Sequence, residues 1–266
     1  MIRSLYSASS GMQAQQTKID VIANNLANVS TPGFKGSTVQ FEELLYDTIK
    51  EPGTGLGNGG TTPGSVSIGY GTKEVATPMD MTDGEMMAAN GGGYNLNLAI
   101  HGQGFFKVEL ADGSGTNAYT RNGSLTTNPN GEIVTNDGLK LVGAPTIPPG
   151  TTSVKFATDG TVSLISASGT TTAGKIGLTN FINPQGLKPL GGGLLGESPA
   201  SGTPQEGVAG LAGFGSINQG YLENSNVSVV TQMVQMIQAQ RAYEVNSKAI
   251  QAADQMMQQA DNIKQG

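Results

Sequence analysis

Glycine and proline are almost confined to the middle of the chain, and that partition decides what can fold where. Residues 1–30 hold one glycine, Gly11, and no proline. Residues 223–265 hold neither, so residues 31–222 carry nearly all of the 40 glycines and 12 prolines. Because Gly and Pro punctuate regular helices, the two ends read as long helices and the middle as short strands joined by turns. Both ends are also poor in charge. Residues 1–30 have only Arg3, Lys18 and Asp20, and residues 224–266 only Arg241, Glu244, Lys248, Asp254, Asp261 and Lys264. A long solvated helix normally carries Glu and Lys on its outer face. These helices carry amides, hydroxyls and Met instead, which suits contact with other protein on several sides.

The periodicity supports this. Leu5, Met12, Ile19 and Leu26 recur every seven residues, and Ala8, Gln15, Ile22 and Val29 follow each by three, as in the seam of a coiled coil. Such a helix is about 40 Å long. Ser30-Thr-Pro-Gly33 should end it, since Pro32 disfavours helix at Thr31 and Gly33 permits a sharp exit. Near the other end Val227, Val230, Val234, Ile237, Arg241, Val245, Ala249, Ala252, Met256, Gln259 and Ile263 step at the α period. Asn224, Ser225 or Asn226 can cap that helix, and Glu244 and Lys248 are spaced as an i,i+4 ion pair. The two stripes can pair with each other, making one elongated module of residues 1–30 and 223–266. Pairing covers only one face of each helix. A second set of neighbours is therefore expected, and head-to-tail contacts of that kind build helical tubes. A simple helical hairpin with a polar outside is the plainer alternative. Asn24, Asn25 and Asn28 could bond between neighbours, or could serve as a helix cap and solvated amides.

The middle alternates at strand period. Leu96, Leu98 and Ile100 face one way, and Phe105, Phe106, Val108 and Leu110 follow. Asn130-Gly131, Asp137-Gly138 and Asp159-Gly160 are hairpin dipeptides between short apolar runs. Val154 and Phe156 precede the last of them, and Val162 and Leu164 follow it. Ile176, Leu178 and Phe181 suggest a further strand. The expected fold is α+β: paired long N- and C-terminal α-helices forming a coiled-coil-like module, with a central antiparallel, partly barrel-like β-rich domain over residues 66–222. Residues 31–65 read as a connecting stretch. Residues 41–46 could form a helical turn or two, and the Gly/Thr-rich residues 51–63 a flexible linker.

Catalytic chemistry is hard to place on this chain. It has no cysteine and a single histidine, His101, so disulfides, thiolate sites and His-rich metal sites are excluded. A pI near 4.8 without a basic cluster argues against nucleic acid as a partner. No apolar run reaches the roughly 18 residues a bilayer-spanning helix needs, and the start does not read as a secretory signal. Gly55-Leu-Gly57-Asn-Gly-Gly60 matches a dinucleotide fingerprint but lacks the strand before and the helix after. Asp80, Asp83 and Glu85 could hold a hard cation or serve a wall-acting enzyme or glycan-binding module, although a solvated acidic turn is the simpler reading. His101 could join a triad with a distant Ser and Asp, or simply end a strand. The Asn-x-Ser triplets at Asn28, Asn122 and Asn226 occur readily by chance. No catalytic, cofactor-binding or metal site is predicted.

Two longer motifs remain. Ala23-Asn-Asn-Leu-Ala-Asn-Val-Ser-Thr-Pro-Gly-Phe-Lys35 resembles the N-terminal signature of bacterial flagellar basal-body rod and hook proteins. Residues 225–248, followed by Ala253-Asp-Gln-Met256, resemble the C-terminal motif of the same family, and Met1–Tyr6 and residues 100–106 fit it too. The likeness marks Asn24, Asn25, Asn28, Gly33, Phe34, Arg241, Tyr243 and Asn246 as motif positions. Chain length and residues 41–63 look most like its distal-rod branch, in which a stretch after the first helix is associated with a straight, stiff rod. The resemblance implies a non-enzymatic structural subunit without cofactor, exported by the flagellar type III system. Copies would assemble into a hollow helical polymer crossing the periplasm, with the terminal helices lining an inner tube and the β domain outside. Implied partners are further copies of itself, proximal rod proteins, the hook protein, ring bushing proteins and the export apparatus, with no nucleic acid and no lipid-embedded segment. The helix seams would carry assembly, through Leu5, Met12, Ile19, Ile22, Leu26 and Val29 on the first, and Val230, Val234, Ile237, Val245, Ala249, Ala252, Met256 and Ile263 on the second. A proximal rod or hook subunit is the nearest alternative.

Overall fold

Two helices bracket a chain otherwise made of short antiparallel strands. The computed structural model describes residues 2–52, 55–56, 60–61, 64–89, 94–110, 116–167, 169–211 and 213–265. It separates into two compact units. One comprises Met1–Leu26, Ser37–Pro78 and Ser228–Gly266; the other comprises Ala27–Gly36 and Met79–Val227.

In the first unit, α1 spans Ile2–Ala27 and α2 spans Val229–Gln265. α1 stops before the predicted break, so Val29 lies in the turn that follows rather than on a helical seam. α2 likewise begins after Val227, which is buried in the second unit. Residues 37–78 join the helices as one long antiparallel ribbon. Gln40–Glu43 pairs with Thr72–Ala76, Tyr46–Lys50 with Val66–Gly69, and Gly55–Leu56 with Gly60–Thr61. Residues 41–46 are thus not helical, and of the stretch expected to connect two domains, residues 37–65 belong to the unit of the helices and residues 31–36 to the other. Glu and Leu favour helix locally, but cross-strand pairs override that weak preference. Phe41 stands opposite Glu74, and Glu42 opposite Lys73, with which it forms a 3.2 Å ion pair.

In the second unit the largest sheet has seven strands in the order Leu125–Thr127, Ile133–Thr135, Lys140–Leu141, Phe106–Glu109, Asn117–Thr120, Leu194–Gly196 and Lys188–Gly191. The order is linear, so this sheet is open. Its last edge strand carries Lys188 and Pro189, residues that discourage further pairing. Thr151–Phe156, Thr161–Ser166 and Gly169–Lys175 form a meander beside it in sequence. The three hairpin dipeptides sit at the turns predicted for them. Gly160, at φ +78°, follows Asp159, whose carboxylate accepts from the Thr161 amide and hydroxyl. Leu98, Ile100, Phe106, Val108, Ala118, Val162, Leu178 and Ile217 form the core, each 1 % exposed or less. Each large apolar side chain buried this way contributes about 1.5–3 kcal/mol.

Candidate assembly surfaces

The helices of the first unit touch through small and amide side chains. Asn25 Nδ2 lies 3.5 Å from Gln232 Oε1. A Cβ on Gly11 would sit 2.9 Å from Asn246 Nδ2. These contacts are fourteen residues apart on both helices and run in opposite directions, so the helices are antiparallel in one register. The face of α2 that is covered contains Gln232, Met236, Ala239, Asn246, Ile250, Ala253 and Met257, with Ala239 and Ala253 fully buried. At about 100° per residue, the Val230–Val234–Ile237 stripe lies roughly 200° away, on the opposite side of the helix. The expected pairing of the two apolar stripes therefore does not occur in the single chain. Gly11 leaves room for the Asn246 side chain, and the larger apolar side chains of the stripe are left outside.

That outer stripe is open. Val230 is 73 % exposed and Val245 64 %; Val234, Ile237 and Met256 are about half exposed, and Ala249 and Ala252 are exposed too. The side chain of Ile263 lies outside the described ones. Arg241 is exposed in the middle of the stripe without an ion-pair partner among the described residues, and neighbouring Tyr243 is partly exposed. Glu244 and Lys248 do not form the ion pair their spacing suggested. On α1, Leu5, Met12, Ile19 and Leu26 are half-buried and Ile22 is buried. Val29 is half-buried too. The ribbon adds more apolar surface, with Leu45 83 % exposed and Tyr46, Ile49, Val66 and Ile68 largely open. The Tyr46 hydroxyl donates to Glu43 over 2.6 Å, which pushes its pKa up.

Asn25 is spent inside the chain. It is buried, donates to the Ser37 carbonyl over 2.8 Å and accepts from the Ser37 amide over 2.9 Å. The Asn28 carbonyl accepts from Thr31 in the turn after α1, and its side-chain oxygen accepts from the Thr31 hydroxyl. Asn24 also has an interaction partner.

In the second unit, the segments that follow α1 and precede α2 in sequence are bolted together by a buried charge cluster. Lys35 Nζ donates to Glu223 over 2.5 Å and to the Thr82 carbonyl over 2.6 Å. Glu223 also accepts from the Gly84 amide and from Arg121, and its carbonyl accepts from the Gly33 amide. Lys35, Glu223 and Arg121 are all nearly inaccessible. Burial pushes the Lys35 ammonium pKa down, while the Glu223 carboxylate pulls it back up. Arg121 completes a neutral set with Asp83 at 3.5 Å, and its guanidinium lies 5.3 Å from the centre of the Phe105 ring. Gly33 adopts φ +71° there, and a Cβ would strike the Arg121–Asn122 backbone at 2.6–2.7 Å. Phe34 is half-buried beside it. Sequence reasoning named Gly33 but missed Lys35 and Glu223 as partners, since 188 residues separate them.

Two of the three clustered acidic residues have a structural use. Asp83 accepts from the Gly102 amide over 2.7 Å and faces Arg121 and exposed His101, while Asp80 accepts from the Thr82 amide. No group of His, Asp or Glu side chains among the described residues is arranged to hold a metal ion. Among the described residues no helix is long and apolar enough to cross a membrane. Gly57, Asn58 and Gly59 of the glycine-rich motif lie outside the described residues.

Three stretches match known families: residues 5–35 the flagella basal body rod protein family, residues 99–164 the flagellar hook protein FlgE/F/G D1 domain, and residues 218–263 the C-terminal region of the flagellar basal body rod FlgEFG proteins. Curated relatives match along almost the whole chain. The flagellar basal-body rod protein FlgG of Buchnera aphidicola subsp. Acyrthosiphon pisum is 43 % identical over 99 % of this chain and 100 % of its own length. The protein of that name from Borreliella burgdorferi is 42 % identical over 99 % of both chains. That from Bacillus subtilis is 38 % identical over 99 % of this chain and 100 % of its own.

Proposed function

The chain belongs to the flagellar basal-body rod protein family, and on that premise we propose that it is a distal-rod subunit that polymerises into a hollow, torque-bearing tube. It is a structural component of the bacterial flagellar basal body and not an enzyme. It assembles with other rod and hook components. Proximal rod, hook, ring bushing and export proteins are its proposed neighbours.

The observation that carries the polymer reading is the open stripe of α2. Val230, Val234, Ile237, Val245 and Met256 are set at helical period, and the single chain leaves them in water. An apolar row of this length on one helix face marks an interaction surface. In the proposed tube, the terminal helices form a coiled-coil-like inner layer through both seams. The β-rich unit forms the outer layer, and the 37–78 ribbon stiffens contacts between copies. Asn24 and Asn28 are proposed as further contacts.

The test is polymerisation of the purified full chain, followed by sedimentation and electron microscopy. Wild type should give straight tubes. The double variant V234K/I237K should keep its fold by circular dichroism yet stay monomeric. Tubes formed by that variant would refute the assembly role of the stripe, and curved wild-type tubes would point to a hook subunit instead.

A further inference from the structure

The open stripe needs a receiving surface, and the first unit offers one. A groove of about 610 Å³ runs along α1 beside the ribbon, lined by Tyr6, Gln13, Leu44 and Glu74 among others. It continues into an apolar recess of about 410 Å³ that shares Tyr6 and Leu44 and adds Leu45 and Tyr70. One end is thus apolar and the other polar. The cations along it are neutralised within the chain: Arg3 pairs with Asp47 at 2.5 Å and Lys73 with Glu42 at 3.2 Å. Glu74 has only the Thr17 hydroxyl, at 2.6 Å, and no cation within ion-pair distance among the described residues. The groove therefore presents one uncompensated carboxylate at its polar end.

The stripe of α2 has the complementary layout. Its one charge is Arg241, unpaired among the described residues, and its most exposed apolar stretch is Val230 to Ile237. From Val230 to Arg241 is eleven residues of α2. From Tyr6, in the apolar recess, to Thr17, which holds Glu74, is eleven residues of α1. Both spans are about 16 Å of helix. Apolar end and charge match in spacing when α2 lies parallel to α1. Within one chain α1 and α2 are antiparallel, so the occupant must come from another copy.

We infer that α2 of one copy docks in the α1 groove of a second copy, parallel to that α1, with Arg241 meeting Glu74 and Val230 entering the Tyr6–Leu45 recess. The contact uses different patches on the two copies and leaves each with one free stripe and one free groove, so it propagates. This inference rests on the polymer reading above and specifies its interface.

Charge reversal in the full chain tests it. E74R and R241E should each raise the critical concentration for tube formation by about tenfold, and the double reversal should bring it back toward wild type. Because the chain has no cysteine, Tyr6→Cys and Val230→Cys chains mixed during polymerisation should give disulfide-linked dimers containing one of each. Wild-type tubes with no rescue by the double reversal, or with no mixed dimer, overturn the docking inference alone. Wild-type chains that form no tube overturn the polymer reading and the docking inference with it.

Discussion

The two units treat apolar side chains in opposite ways. The β-rich unit hides Leu98, Phe106, Val108 and Leu178 completely, whereas the helix-and-ribbon unit leaves Leu45 83 % and Val230 73 % exposed. The first pattern is that of a domain that completes its core alone. The second is that of half an interface. α1 and α2 meet through Asn25 with Gln232 and Gly11 with Asn246, while the bulkier apolar residues of α2 stay exposed. Cohesion within the chain thus leaves the larger apolar side chains of α2 uncovered.

The comparison can be broken most sharply in the β-rich unit. Phe106→Ala should cost about 3–5 kcal/mol in the unfolding of that unit, read by denaturant titration. A loss below about 1 kcal/mol would show that the core is not what holds it. Lys35→Met should approach the same loss, about 3–5 kcal/mol, because it takes from the buried Glu223 carboxylate its closest cation and leaves only Arg121 and the Gly84 amide against it. In the helical unit, Gly11→Leu should destabilise the α1–α2 pair by about 1–3 kcal/mol through overpacking against Asn246, seen as lost helical circular dichroism. Ile237→Ala should change subunit stability by no more than about 0.5 kcal/mol yet weaken polymerisation measurably. Equal damage to both would erase the distinction between the two units. The smallest effect concerns pH. The Asp159 carboxyl is held down to about 2 by the Thr161 hydroxyl and amide and by Lys175, against an ordinary 3.8. A depressed carboxylate stabilises the fold above its unfolded pKa, and that support fades as pH falls through the folded value. Asp159→Asn should remove that support, lowering the melting temperature slightly near neutrality and flattening its fall between about pH 4 and pH 2.

Local signals in the sequence carried the β-rich unit well. Leu98 and Ile100 alternate as a half-buried strand, and the Asx-Gly turns fall where the hairpins reverse. Periodicity also found the α2 stripe, but a period reports which residues share a face and not what covers it. The single chain leaves that stripe exposed, and the covered face was missed because small residues and amides carry little hydrophobic contrast. Residues 41–46 misled for a related reason: their helical composition is local, while Glu42 pairs with Lys73, 31 residues further on. The charge cluster was out of reach because Lys35 and Glu223 are ordinary surface residue types until the fold joins them.

The bolt between Lys35 and Glu223 carries a last implication. Its halves are 188 positions apart, the second only a few residues before the final helix. A copy truncated anywhere upstream of Glu223 has no acid to receive the buried ammonium. Closing that lock therefore requires that the chain from Lys35 through Glu223 be present.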